Sequence, residues 1–337
     1  DRGAPTLSAQ PSSESTASQT KTITVTATDT NFDSNISGFT AGKTIKYGWT
    51  TSSTTAPTYN LTATSTNTAG AKTATFSITT PKYTGSYYLW VQGGSISDRA
   101  GNSNAVAHFG PYTLDNQAPS ITFSPNGNST YAKSQSVTVN AGDATVRKYV
   151  WTQSTSQPAN SAFTGTFTNG GTITKNSGSG DWYLWVYVED SLGNSSYKCS
   201  GVFKLDNTAP TITFGTNGNT TPKKVQSTTV NIADDGYSSI NTSSLKYLWS
   251  TSSSGITESS FGSASTYTNG GSVSNSTLNG NYYLWVIAKD SAGNTTIKKT
   301  DNVFNFDNTI PTVTFTPNKN TTGAKSQSVK VSVSDTN

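Results

Sequence analysis

Short runs of alternating apolar and polar residues, broken at intervals by Gly, Asn, Asp, Ser or Pro, set the pattern of this chain. Within residues 117–207 the runs are Ile121 to Phe123, Ser136 to Asn140, Arg147 to Trp151, Phe163 to Phe167, Gly171 to Thr174, Trp182 to Glu189 and Tyr197 to Leu205. A period of two marks a strand with one buried face, and no stretch carries the 3.6-residue period of a helix. About seven short strands with frequent turn signals, in roughly a hundred residues, predict a two-sheet sandwich with Greek-key connections.

The pattern recurs. Trp90, Trp185 and Trp285 each sit in a Tyr-Leu-Trp-Val run, 95 and 100 residues apart. That period is far longer than a solenoid unit of roughly 20 to 50 residues, so each copy must bury its own core. Ala4-Pro5, Ala118-Pro119, Ala209-Pro210 and Ile310-Pro311 open the copies, and Asp115-Asn116, Asp206-Asn207 and Asp307-Asn308 precede the later three. The expected organisation is repeat 1 at 1–116, repeat 2 at 117–207, repeat 3 at 208–308 and the truncated start of repeat 4 at 309–337. Asp1-Arg2-Gly3 reads as the tail of a linker, and Val331 to Asn337 matches Val25 to Asn31, so the sequence is expected to be an internal stretch of a longer protein.

Faces follow from alternation. In the last long run of repeat 3, Tyr282, Leu284, Val286 and Ala288 share the face expected to be core; Tyr87, Leu89 and Val91, and Trp182, Leu184, Val186 and Val188, correspond. Trp90, Trp185 and Trp285 then fall on the outer face. Two readings are open: each is covered by its own repeat, through a cross-strand aromatic or the long loop between the second and third strands, or each is a sugar-stacking or lateral-contact surface. The pairs Tyr47 and Trp49, Tyr149 and Trp151, and Tyr247 and Trp249 are expected to face the core.

Composition excludes several classes. With 31% hydrophobic and 12% charged residues the chain is strand- and turn-prone, and its 7 Trp, 16 Tyr and 13 Phe at repeating positions are unlike a disordered sequence. A net charge of +4 spread over 337 residues forms no basic stripe for nucleic acid, and no membrane contact is expected from this segment. Cys199 has no partner for a disulfide and reads as a small core residue, and His108 is the only histidine, so neither a zinc cluster nor a Ser-His-Asp set can be built. Glu14, Glu189 and Glu258 occupy unrelated places, which leaves no repeated carboxylate pair for glycoside hydrolysis. The chain reads as no enzyme. Lys46, Lys148 and Lys246 precede the inward Tyr on the opposite face, without an evident carboxylate partner for an isopeptide bond, while Asn128, Asn194 and Asn294 head Asn-x-Ser/Thr triplets open to glycosylation. The stretch from Asp29 to Tyr47, Asp143 to Tyr149 and Asp234 to Tyr247 varies from 18 to six to 13 steps, as a spacer tolerates.

Each late strand ends in an Asp-x-x-Gly-Asn turn: Asp98 to Asn102, Asp190 to Asn194 and Asp290 to Asn294. Together with the aromatic core, the final strand and the Asp-Asn-x-x-Pro linker, these turns make the chain resemble the tandem bacterial immunoglobulin-like domains of large surface proteins and biofilm-type adhesins. The resemblance implies an all-β chain of tandem immunoglobulin-like β-sandwiches arranged as an elongated rod. It also implies an extracellular, bacterial-surface location and a non-catalytic stalk that projects a binding region from the envelope. Alternatives are a carbohydrate- or protein-binding module using exposed Trp90, Trp185 and Trp285, or a segment of a self-assembling fibre or layer. Expected partners are neighbouring repeats of the same chain, glycans or copies of itself. Calcium at the seams is a further implication, with Asp98, Asp190 and Asp290 in the turns and Asp115, Asp206 and Asp307 in the linkers as matching positions; Asp29, Asp143, Asp234 and Asp335 are additional candidates. Turn chemistry alone accounts for the same aspartates.

Overall fold

The computed structural model describes residues 2–33 and 37–335. Asp1, Thr336 and Asn337, to which the reading of both chain ends extends, lie outside the described residues. In the first repeat the strands are β1 (Thr6–Gln10), β2 (Glu14–Ser18), β3 (Thr22–Thr28), β4 (Thr44–Thr50), β5 (Leu61–Thr64), β6 (Thr73–Thr79), β7 (Gly85–Val91) and β8 (Ala107–Leu114). The second contains β9 (Thr122–Ser124), β10 (Asn128–Ala132), β11 (Gln135–Asn140), β12 (Val146–Thr152), β13 (Gly165–Thr166), β14 (Gly171–Lys175), β15 (Gly180–Glu189), β16 (Ser195–Cys199) and β17 (Phe203–Leu205). In the third come β18 (Thr211–Phe214), β19 (Asn219–Lys223), β20 (Gln226–Ala233), β21 (Lys246–Ser250), β22 (Ser265–Thr266), β23 (Ser272–Asn275), β24 (Gly280–Lys289), β25 (Thr295–Lys299) and β26 (Phe304–Phe306), and a hairpin of β27 (Thr312–Thr316) and β28 (Lys330–Ser334) follows. Helical structure among the described residues is confined to short 3-10 turns, and none is long and apolar enough to cross a membrane.

The described chain forms two compact units. One holds the residues up to Ile121 with Ala141–Arg147 and Tyr187–Tyr197; the other holds Thr122–Asn140, Lys148–Val186 and the chain from Lys198. In the first, a sheet of order β1-β3-β6 faces a sheet of order β2-β8-β7-β4-β5. Ile23, Val25 and Ala27 of β3 and Phe76 and Ile78 of β6 pack against Leu89 and Val91 of β7 and Tyr112 of β8. The second unit repeats the plan, with β18-β20-β23 facing β19-β26-β24-β21-β22 and β25 beside β24. Its core joins Ile212, Val230 and Ile232 to Leu284, Val286, Ala288, Phe304 and Phe306, so the face read from alternation is the buried one. In the same unit β11 pairs with β9 and β14, and β17 with β10 and β15. These are immunoglobulin-type β-sandwiches in tandem.

Two features depart from the pattern read along the sequence. The opening strand of each repeat is split, and its second half crosses to the other sheet: β2, β10 and β19 run parallel to β8, β17 and β26. These edge strands are largely exposed and carry no alternation, which is why the sequence pattern shows no strand there. The expected single strand from Tyr197 to Leu205 is broken into β16 and β17 at Ser200. Its hydroxyl accepts from Leu184 N at 2.9 Å while its own N–H donates to Leu184 O at 2.9 Å, so a side chain takes the ladder position that backbone would hold. Thr300 does the same opposite Leu284.

The inward tryptophans meet core rings at steep angles between ring planes: Trp49 and Tyr112 at 6.0 Å, Trp151 and Phe203 at 5.5 Å, and Trp249 with Phe304 and Phe306 at 5.3 and 5.2 Å. In all three the indole Nε1 is buried without a hydrogen-bond partner. The β27–β28 hairpin pairs Val313 with Val333 and Phe315 with Val331, and all four are about half exposed or more, whereas Ile212 and Ile232, their counterparts in repeat 3, are 2% and 6% exposed.

Candidate functional site

Trp90, Trp185 and Trp285 lie on the outer sheet face, as alternation requires, yet each is only 8% exposed. Their Nε1 atoms donate to Ser52 O at 3.2 Å, Ser154 O at 3.3 Å and Ser252 O at 3.0 Å. Trp285 anchors a second small core with Phe261 and Ile287, against which Leu248, Ile256, Ala264, Tyr283 and Ile297 pack. The cover comes from the loop after β4, β12 or β21, not from the loop before it, and His108 stacks on Trp90. An exposed stacking platform at these three positions is thereby corrected. Burying a ring of this size contributes about 2 to 3 kcal/mol, and the loop carbonyl leaves the indole N–H satisfied.

The repeated aspartates are occupied in turns. Asp98, Asp190 and Asp290 accept from the backbone N–H of Asn102, Asn194 and Asn294 at 2.9, 2.9 and 2.7 Å, and from their side-chain amides at 3.0, 2.8 and 2.6 Å. Each turn closes with the Asp N–H donating to the Asn carbonyl at 3.0 to 3.1 Å. Gly193 and Gly293, at φ of 88° and 90°, supply the left-handed position that such a turn requires. Linker aspartates cap their own bend: Asp115, Asp206 and Asp307 accept from Gln117 N, Thr208 N and Thr309 N at 3.0, 3.0 and 3.1 Å.

The turn asparagines also reach the preceding linker. Asn194 Nδ2 donates to Asp115 O at 3.1 Å and Asn294 Nδ2 to Asp206 O at 2.9 Å. Two residues on, Ser196 Oγ donates to Pro119 O at 2.6 Å and Thr296 Oγ1 to Pro210 O at 2.5 Å. At the second seam the 13-step loop adds Ser238, whose N–H and hydroxyl donate to Asp206 Oδ2 at 2.7 and 2.6 Å, and Tyr237, which stacks on Tyr131 at 5.8 Å. Loop variation is therefore not idle drift there.

Charge balance at the seams follows from these donors. Burial pushes the Asp190 carboxyl up, but the donors from Asn194, Leu192 and Gly193 outweigh it and leave it below the usual carboxylate value. Asp206 is likewise raised by burial and lowered further by Ser238, Thr208 and Tyr237, with a net fall. Asp234 moves the other way: burial raises it, Asp290, Asp206 and Asp235 add to the rise, and only Gly236 N–H opposes. Its Oδ2 is buried without a hydrogen-bond partner. Calcium takes roughly six to eight oxygens. The oxygens of Asp190, Asp206 and Asp290 instead face N–H and O–H donors, and among the described residues no group of three or more His, Cys, Asp or Glu is arranged to hold a metal ion. The residues present do not fit a calcium cage. Asp29 accepts from Asn31 N and Gly38 N, Asp143 shares a shallow cleft with Asp115, and Asp335 is exposed.

Other candidates have local partners. Lys246 Nζ donates to Phe261 O and Gly262 O, both at 3.2 Å, while Lys46 and Lys148 are exposed. Glu14 pairs with Lys21, Glu258 with Lys289, and Glu189 accepts from Tyr187, which that bond and then burial push up to about 12. Cys199 is half-buried, and burial pushes its thiol up. Asn128 donates to Gln135 Oε1 at 3.1 Å.

Comparison with protein-family models and with curated proteins finds no match. Among solved structures, the chain is similar to an I-band fragment I67–I69 of titin, at 13% identity over 90% of this chain and 97% of that one, with a TM-score of 0.37. A Ca²⁺-stabilised adhesin of an Antarctic bacterium that binds ice matches at 14% identity over 94% and 77%, with a TM-score of 0.37. Fibronectin(III)-like modules of Clostridium thermocellum CbhA match at 13% identity over 56% and 95%, with a TM-score of 0.26.

Proposed function

We propose that this chain is a non-catalytic spacer of a bacterial cell-surface, adhesin-like protein, a stalk that holds a binding region away from the envelope. The observation that carries the reading is where the repeated polar residues spend their hydrogen bonds. Asp190 and Asn194, and Asp290 and Asn294, use them on a turn and on the linker before it, and converge on no open cleft. The outer tryptophans are likewise used to fasten a loop. What is reproduced from repeat to repeat is construction, and successive sandwiches add reach.

Small-angle scattering tests the spacer. Three end-to-end sandwiches of roughly 35 to 45 Å each give a radius of gyration of about 35 Å. A 337-residue globule gives about 20 Å. A value near the smaller figure overturns the proposal.

A further inference from the structure

The first and second linkers are each gripped twice by the repeat that follows. Asn194 and Ser196 hold the carbonyls of Asp115 and Pro119; Asn294 and Thr296 hold those of Asp206 and Pro210. The gripping side chains are two residues apart, one closing the turn and the other the second residue of the strand that follows it, β16 or β25. The carbonyls they hold are four residues apart at both seams. Each asparagine amide has two N–H bonds to give, and both are given: one to the turn carboxylate of Asp190 or Asp290, the other to the linker. The carboxylate's charge strengthens the first bond. Both asparagines are nearly sealed, at 8% and 7% exposure, and Asn194 Oδ1 accepts in addition from Gln19 Nε2 at 3.0 Å.

We propose that Asn194 with Ser196, and Asn294 with Thr296, form a two-point clasp that locks each linker to the next sandwich and makes seam and turn one cooperative piece. The Asn-x-Ser/Thr spelling, which reads as a glycosylation acceptor, is here the spelling of the clasp, because the amide nitrogen a glycan would need is spent twice over. The inference concerns the seam alone and holds whether or not the chain serves as a surface spacer.

Hydrogen exchange on the full chain tests it, comparing the wild type with Thr296→Val, Asn294→Ala and the double variant. Thr296→Val removes one hydroxyl and keeps the branched shape, so the turn stays intact. The clasp requires that amides in residues 206–212 exchange several-fold faster in Thr296→Val and about tenfold or more faster in the double variant, while β20 stays as protected as in the wild type. Ser196→Ala should act in the same way on residues 115–121. Linker exchange unchanged from the wild type in Thr296→Val and in the double variant overturns the clasp; if Asn294→Ala unfolds the repeat, Thr296→Val alone decides.

Discussion

His108 lies flat against Trp90, with ring centroids 4.6 Å apart and planes inclined by 21°, directly across the strand pair that joins them. In the third repeat Lys299 occupies the facing position opposite Trp285. The outer tryptophan is thus a fixed element, while the residue facing it across the strand pair varies.

If the outer ring is structural, Trp285→Ala lowers stability by about 3 kcal/mol or more. Trp285→Phe, which forfeits chiefly the bond to Ser252 O, costs about 1 kcal/mol plus some packing. Urea unfolding followed by the remaining tryptophan fluorescence measures both. A Trp285→Ala protein as stable as the wild type would contradict the covered-ring account.

Acid should loosen the turn of repeat 2 and the second linker. The folded values of Asp190 and Asp206 lie below the usual carboxylate range. Their contribution is therefore present above the unfolded value of about 3.9 and is lost as pH falls through the depressed folded values. Melting temperature should hold from neutral pH down to that region and then drop. Asp206→Asn should flatten part of the drop.

Asp234 carries the opposite sign. Its folded value is raised, by burial first and then by Asp290, Asp206 and Asp235, so its contribution is present below the unfolded value and lost as pH rises through the folded one. Asp234→Asn keeps an oxygen for Gly236 N–H and removes the repulsion. The variant should melt higher than the wild type at neutral pH, with the gap closing toward pH 4; a lower melting point at neutral pH would refute this.

Gln226 fastens the split opening strand of repeat 3, donating to Thr221 O at 3.0 Å and Asn305 O at 2.7 Å from a nearly sealed position. Gln135 does the same work in repeat 2, toward Thr130 O and Lys204 O. In repeat 1 the post is filled by Lys21, whose Nζ donates to Thr16 O at 2.6 Å and pairs with Glu14 at 3.1 Å. Gln226→Ala should cost about 2 kcal/mol, since it removes two hydrogen bonds made from a nearly sealed position. Lys21→Gln should change stability by less than about 1 kcal/mol, because glutamine already serves at the equivalent place twice. Denaturant midpoints of the two variants provide the comparison.

The sandwich core was legible because alternation is a direct record of burial: Leu284 and Val286 read as inward and are sealed, and Trp285 read as outward and lies on the outer face. What covers Trp285 was not legible. The indole N–H meets a main-chain carbonyl at Ser252, which any residue could supply, and Ile256, Phe261 and Ala264 of the same loop follow no strand or helix period that would mark them as its cover. The edge strand Asn128–Ala132 was missed for a related reason: it pairs through backbone and buries little. Asn194 and Asn294 were read as turn residues, which they are, but their second bond was hidden. The signal was present in the constant offsets, Asp to Pro in the linker and Asn to Ser or Thr after the turn, recurring at both seams.

Those offsets have a consequence for how such a chain can change length. A linker held at two carbonyls four residues apart accepts neither an added nor a missing residue without slipping one of its grips. Span is then adjustable only by duplicating or deleting an entire sandwich with its seam, so variants of different reach should differ by whole units and never by fractions of one.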